Sequence, residues 1–216
     1  MPASKVTVEA IFTTITPGFA DCPKDETCPI WPFTDASTTD WYHDGVHYCL
    51  DEGLMEGYGD GIFKPDNDLS RAMLVQILYN LEGRPAVSGE SAFTDVADGA
   101  WYFDAVTWAA ANGIVGGYGN GKFGPEDNIT REQLAAILYR YTQAKEYDVS
   151  VGEDTNILSY TDALAVSEWA VSAMQWACGA GVIEGVTTST LVPQGNATRA
   201  QVATMLMRFC AEYGIG

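Results

Sequence analysis

Three arginines, Arg71, Arg131 and Arg199, each follow a Ser or Thr (Ser70, Thr130, Thr198) that reads as a helix N-cap. Each would occupy the first helical position, where the macrodipole already concentrates partial positive charge. A cation there is electrostatically unfavourable, so its recurrence asks for a compensating reason. One such reason is an external anion. A planar guanidinium grips a carboxylate through two parallel hydrogen bonds, and exposed N–H groups of the helix mouth add to the attraction. The other is an internal ion pair, with Asp66, Asp68 or Asp127 as partner.

Metal and catalytic chemistry find weaker support. His43-Asp44-Gly45-Val46-His47 places two His four residues apart, as the zinc pattern H-E-x-x-H does, with Asp for Glu. The chain has no other His, no third ligand is evident, and the matching stretch Phe103-Asp104-Ala105-Val106-Thr107 puts Phe in a His slot. Cys22 and Cys28 bracket a short loop, which suits a disulfide clip; zinc is the rival reading, disfavoured because no His is near in sequence and the spacing is not C-x2-C. Cys178 and Cys210 lie in two apolar segments and suit a second bridge, whereas Cys49 reads as a small buried residue. Bridges would imply an oxidising, extracellular setting. Asp66-Asn67-Asp68 lacks the alternation, the Gly and the distal Glu of a calcium loop. With both His in one helical turn, no Ser-His-Asp set is credible. A hydrolase would need carboxylates gathered in a cleft. The expectation is therefore no metal, no cofactor and no enzyme activity.

These residues recur because the chain repeats itself. Phe33-Thr34-Asp35 returns as Phe93-Thr94-Asp95, Trp41-Tyr42 as Trp101-Tyr102, and Gly57-Tyr58-Gly59-Asp60-Gly61 as Gly117-Tyr118-Gly119-Asn120-Gly121, each 60 residues later. A looser third copy carries Tyr160-Thr161-Asp162, Trp169, Pro193 and Thr198-Arg199, with Gly185-Val186-Thr187-Thr188-Ser189 in place of the glycine loop. Units of this size are too small for separate cores and should pack on one another. Each reads as a short extended opening, a helix beginning near the Trp, an apolar step, a loop, and a second helix after the N-cap. Thr130 with Gln133 and Thr198 with Gln201 fit the capping box, whereas Ser70 with Met73 lacks its second half. Leu74, Ile77, Leu78 and Leu81, and likewise Leu134, Ile137, Leu138 and Tyr141, are expected to form buried stripes at helical spacing. Before the repeats, residues 3–12 alternate as one β-strand, the end of some preceding unit.

Composition sets outer limits. A net charge of −18 excludes general nucleic-acid binding, which needs a basic footprint. No apolar run approaches the roughly 18 residues of a spanning helix, so no membrane insertion is expected. No secretory signal opens the chain, which leaves a cytosolic protein or a piece of something longer.

The F-T-D opening, the aromatic helix, the G-Y-G-D-G-x-F-x-P loop and the S/T-R start of the second helix resemble, in order and in triplicate, the S-layer homology domain. The likeness spans roughly residues 33–213. The first strand resembles the closing strand of small β-rich repeats in bacterial surface proteins, which favours a C-terminal module. The resemblance implies a mostly α fold: three tandem helix-loop-helix repeats (33–87, 93–147 and 160–213) in a pseudo-threefold body with a central helical bundle, after a strand and Cys/Pro-rich linker at 1–32. It implies a non-covalent, extracellular anchor whose inter-repeat grooves bind an anionic secondary cell-wall polymer, pyruvylated in many members. A protein-interaction or self-assembly module is the alternative. In such grooves Arg71, Arg131 and Arg199 would hold the acid. Trp41, Trp101 and Trp169 would stack on a sugar face or else fill the core. Asp35, Asp95 and Asp162 would accept sugar hydroxyls or else cap a turn. Gly57, Tyr58, Gly117 and Tyr118 would bring backbone close to the sugar or else only shape a tight turn.

Overall fold

The three expected N-caps form as hydrogen bonds. Ser70 accepts from the Met73 amide, Thr130 from Gln133 and Thr198 from Gln201, and both capping boxes close. The computed structural model describes residues 22–215; the strand expected at 3–12 lies outside them. The helices are α1 (His43–Asp51), α2 (Arg71–Leu81), α3 (Phe103–Ala111), α4 (Arg131–Ala144), the single turn α5 (Val151–Asp154), α6 (Val171–Gly179) and α7 (Arg199–Tyr213). Helices α1 and α3 begin just after the Trp-Tyr pair, with Tyr42 and Tyr102 at the caps. In the third copy two short 3-10 turns, Ala163–Ala165 and Glu168–Ala170, precede α6 and absorb the irregular spacing.

Helix pairing crosses repeat boundaries. α3 of the second repeat packs on α2 of the first, α6 of the third packs on α4 of the second, and α1 of the first packs on α7 of the third. Each repeat thus finds the apolar partner for its first helix in the repeat before it, and the cycle closes. This is the pseudo-threefold body with α2, α4 and α7 at its centre.

At the axis the backbone itself makes a ring. The Leu69 amide donates to the Ala197 carbonyl, Ala197 to Ile129, and Ile129 to Leu69, at 3.0, 3.0 and 2.9 Å. All three side chains are buried, so these peptide groups have no water to fall back on. Above the ring the Asp68 carboxylate accepts from the side-chain amides of Asn128 and Asn196, both at 2.8 Å. One acceptor and two donors at equivalent positions give a closed polar cap.

The same strategy satisfies the helix starts. The amides of Arg71, Arg131 and Arg199 donate to the carbonyls of Asp127, Gly195 and Asn67 in the next repeat. Those of Ala72, Glu132 and Ala200 donate to Pro125, Pro193 and Pro65. With the N-cap hydroxyl on the third amide, the first three N–H groups within each central helix are taken up by protein. Anion binding by bare helix mouths, part of the sequence expectation, is therefore overturned.

The cyclic pairing has a direct consequence. Removing residues 148–216 would deprive α1 of its partner, open the axial ring and unsatisfy the start of α4. We expect the remaining two repeats to lose cooperative urea unfolding as followed by circular dichroism. A sharp two-state transition in that fragment would contradict the closed-cycle account.

Candidate functional site

Between successive repeats run three grooves built from equivalent parts. The first takes Arg199, the loop at Met55 and Glu56, the α2 face at Met73, and Trp101. The second takes Arg71, the loop at Gly116 to Tyr118, Gln133 and Arg140 of α4, and Trp169. The third takes Arg131, the loop at Glu184 and Gly185, Arg208 of α7, and Trp41. Each therefore draws on all three repeats. Their volumes, about 340, 360 and 280 Å3 in that order, fall near the lower end of small-molecule sites, roughly 300–1,000 Å3. A larger cleft of about 510 Å3 beside Leu158 and Leu164 has no cation in its lining and carries Glu153 and Asp154.

The arginines at the first helical position are almost buried, at 3–5% exposure, yet none is in an ion pair among the described residues. The proposed Asp partners do not engage them. Instead each guanidinium reaches across to backbone carbonyls of the next repeat. Arg71 Nε donates to Phe123 O at 3.0 Å, Arg131 Nε to Leu191 O at 2.7 Å, and Arg199 Nε to Phe63 O at 2.9 Å. A second bond runs from Arg131 Nη2 to Glu184 O at 2.6 Å and from Arg199 Nη2 to Glu56 O at 2.7 Å. Arg71 instead reaches Gln133 Oε1 through Nη1, at 3.3 Å. This is the compensation that the helix dipole demanded. Carbonyl dipoles solvate the cation without cancelling its charge, so the groove walls stay positive.

Aromatic rings cover two of the three. Arg71 lies over Tyr118 and Phe123, at 4.7 and 4.8 Å from the ring centres, and Arg199 over Tyr58 and Phe63, at 4.8 and 4.6 Å. In the third groove Leu191 stands where the others have Phe, and the loop has no Tyr. By sequence, Trp41, Trp101 and Trp169 fit either the core or a ligand contact. They are 66%, 56% and 56% exposed, each at the edge of a groove and edge-on to a tyrosine in the first two cases. They are not core.

The other candidates serve the scaffold. Asp35 receives the amides of Phe63 and Lys64, Asp95 those of Phe123 and Gly124, and Asp162 those of Leu191 and Val192, all at 2.8–2.9 Å. Both oxygens of each carboxylate are committed to the loop that carries the arginine's carbonyl partner. At Gly57 a Cβ would run into Phe33, and at Gly117 into Phe93 and the Lys122 carbonyl, so these glycines let the F-T-D ring approach the loop. Asp60 and Gly61 both take positive φ, 50° and 71°, the tight hairpin turn expected of Asp-Gly.

The grooves differ in charge. Arg140, Arg208 and Asn80 occupy one register of the second helices, as Gly116, Glu184 and Glu56 do of the loops. Arg208 is spent on Glu184, at 2.8 Å. Arg140 is exposed, forms no ion pair among the described residues, and faces a loop with Gly116 in place of the acid. The second groove alone thus joins two guanidinium groups with no carboxylate in its lining. Arg140 and Arg208 are not marked by any motif, and only superposing the copies exposes the register they share with Asn80.

The cysteines form no bridge; all five are free. Cys178 on α6 lies near Arg131, whereas Cys210 on α7 lies against Tyr48 and Cys49 of α1, so the two thiols point into different seams. Cys22 and Cys28 form no disulfide, and their thiols share one cluster with His43 and His47.

A profile of the S-layer homology domain matches residues 32–72, 92–135 and 159–203. The chain belongs to the S-layer homology family. It is 31% identical over 176 residues to an endoglucanase of Bacillus sp. (strain KSM-635), covering 82% of this chain and 18% of that protein. It is 25% identical over 185 residues to a cellulosome-anchoring protein of Acetivibrio thermocellus, covering 82% and 40%, and 32% identical over 168 residues to the surface-layer 125 kDa protein of Lysinibacillus sphaericus, covering 76% and 14%. The chain thus spans well under half the length of these relatives. S-layer homology domains are surface modules, and the chain is extracellular and wall-associated. Among the described residues no helix is long and apolar enough to cross a membrane.

The carboxylates that hold the loops set an acid limit. Burial pushes Asp35 and Asp95 up, but their two amide partners outweigh it and hold them below the usual carboxylate value; at Asp162 the Leu191 amide leads and the result is the same. As pH falls, the unfolded chain then takes up protons before the folded one. The stability they contribute is complete above about pH 4 and lost as pH drops through their folded-state values. Melting temperature should hold between about pH 7 and 5 and fall below about pH 4. Asp95→Asn should melt lower at about pH 7 and lose less on acidification; an equal acid loss in both proteins would remove Asp95 from this role.

Proposed function

We propose that the chain is a non-covalent cell-wall anchor that holds an acidic secondary wall polysaccharide, its acid a pyruvyl ketal on an amino sugar, in the grooves between repeats. The observation that carries this reading is the second groove: Arg71 and Arg140 flank an acid-free floor and Trp169 stands exposed at its rim, in a chain of net charge −18. So acidic a protein attracts a polyanion only where charge is local, and a desolvated guanidinium offers a carboxylate a stronger bond than an exposed one. The Trp face supplies an apolar platform for a sugar ring.

The grooves rank in this reading. The second leads. The first follows, with Arg199 and Tyr58 but with Glu56 in its wall. The third is weakest, since its Arg208 is held by Glu184. The catalytic activity in the endoglucanase's name stays with that protein, of which the shared part is 18%. A triplet common to an enzyme, a cellulosome-anchoring protein and a surface-layer protein fits one anchoring task under different cargoes.

Retention on isolated pyruvylated wall polysaccharide tests this. Arg140→Ala removes a cation with no structural bond, so binding should weaken by about 1.5–3 kcal/mol, the loss of one charge-assisted hydrogen bond, with the melting temperature unchanged. Trp169→Ala should also weaken it, and Arg208→Ala should leave it nearly intact. Removal of the ketal by mild acid should abolish binding by the wild-type chain. Unchanged retention in Arg140→Ala and Trp169→Ala would remove the second groove from the function. Retention that needs no polysaccharide, with a mass that grows with concentration, would favour the self-assembly alternative.

A further inference from the structure

Outside the grooves, one cluster joins the segment before the repeats to the first helix of the first repeat. The ligand atoms of Cys22, Cys28, His43 and His47 all lie within 4.8 Å of one another, with Cys22 partly exposed and the other three buried. Cys28 Sγ is 3.6 Å from His43 Nε2 and 3.7 Å from His47 Nδ1. A tetrahedral zinc with bonds of about 2.3 Å to sulfur and about 2.05 Å to nitrogen would hold such S and N atoms about 3.6 Å apart. We propose that these four side chains form a structural zinc site.

Two further features support it. His43 Nδ1 meets Asp44 Oδ1 at 2.7 Å. A proton held on Nδ1 leaves the Nε2 lone pair turned inward, the carboxylate–histidine arrangement that orients metal-bound imidazoles. Helix α1 supplies both His from one face, four residues apart, and the preceding loop is folded to bring the Cys to it. In that loop the Cys28 amide donates to Asp25 O and the Trp31 amide to Cys28 O, both at 2.9 Å, and Ile30 is fully buried. Two thiolates and two neutral imidazoles match the borderline-soft character of zinc and balance its charge; binding releases the two thiol protons to solvent.

The second repeat has Phe103 and Thr107 where the first has His43 and His47, so the site takes no part in chemistry common to the grooves. Its position assigns it a mechanical task. It would clamp the segment before the repeats onto α1, which packs on α7 and so closes the cycle. An anchor under load gains from a fixed junction at that end.

The test is metal content of the whole chain, purified with thiols kept reduced and dialysed free of loose metal. One zinc per chain is expected by mass spectrometry of the metal. Cobalt(II) in its place should give the thiolate charge-transfer and tetrahedral d–d bands of an S2N2 site. His47→Gln and Cys22→Ser should each lose stoichiometric metal, while Cys178→Ser keeps it. Chelator should lower the melting temperature of the wild-type chain and leave that of Cys22→Ser unmoved. Far-UV circular dichroism of the variants separates loss of metal from loss of fold, and Cys22→Ser, in a partly exposed loop, is the milder change. Metal-free wild-type protein, metal retained by His47→Gln, or a Cys22–Cys28 disulfide in never-reduced protein would overturn the proposal.

Discussion

A buried guanidinium solvated by the carbonyls of a neighbouring repeat is the interaction on which this molecule turns. Arg71, Arg131 and Arg199 sit where a helix least favours a cation, and each is tolerated because the next repeat presents a carbonyl at 2.7–3.0 Å. A hydrogen bond to a charged group contributes roughly 1.5–3 kcal/mol, more than a neutral one. The three bonds therefore tie the repeats into a cycle alongside the axial ring of peptide groups. The same bonds leave the positive charge uncancelled at the groove wall, so one residue type closes the fold and prepares it for an anion.

That double role explains why the Asp and Gly of the motifs lie deeper in the structure than in the chemistry. Asp35, Asp95 and Asp162 hold the loops whose carbonyls hold the arginines. Gly57 and Gly117 let Phe33 and Phe93 press against those loops. The groove surface is then left to residues on the outward side: the Trp at the rim, Tyr58 and Tyr118 over the guanidinium, and Arg140 on the helix face.

Much of this was legible in the residue order. Thr130 with Gln133 and Thr198 with Gln201 announced the central helices, because a capping box is local chemistry that needs no tertiary context. The closed cycle entered only through the family resemblance, because α1 meeting α7 is a contact across the whole chain that no local pattern encodes. Trp41, Trp101 and Trp169 were ambiguous because the helix starts after them, which frees them from the apolar stripe. The expected bridge at Cys178 and Cys210 failed because apolar surroundings suit a thiol as well as a disulfide, and the two face different seams. Cys22 with Cys28 and His43 with His47 are separate pairs in the sequence, and only the fold brings them together.

The unequal grooves place the account's weight on one of them, and the six tryptophans of the chain offer separate reporters. In a proton–nitrogen correlation spectrum, titration with a short pyruvylated wall-polymer fragment should shift the indole signal of Trp169 first, then that of Trp101, with Trp41 last and the buried Trp176 unmoved. Saturable binding of the fragment that leaves all three rim indoles in place would contradict the claim that these grooves hold the polymer.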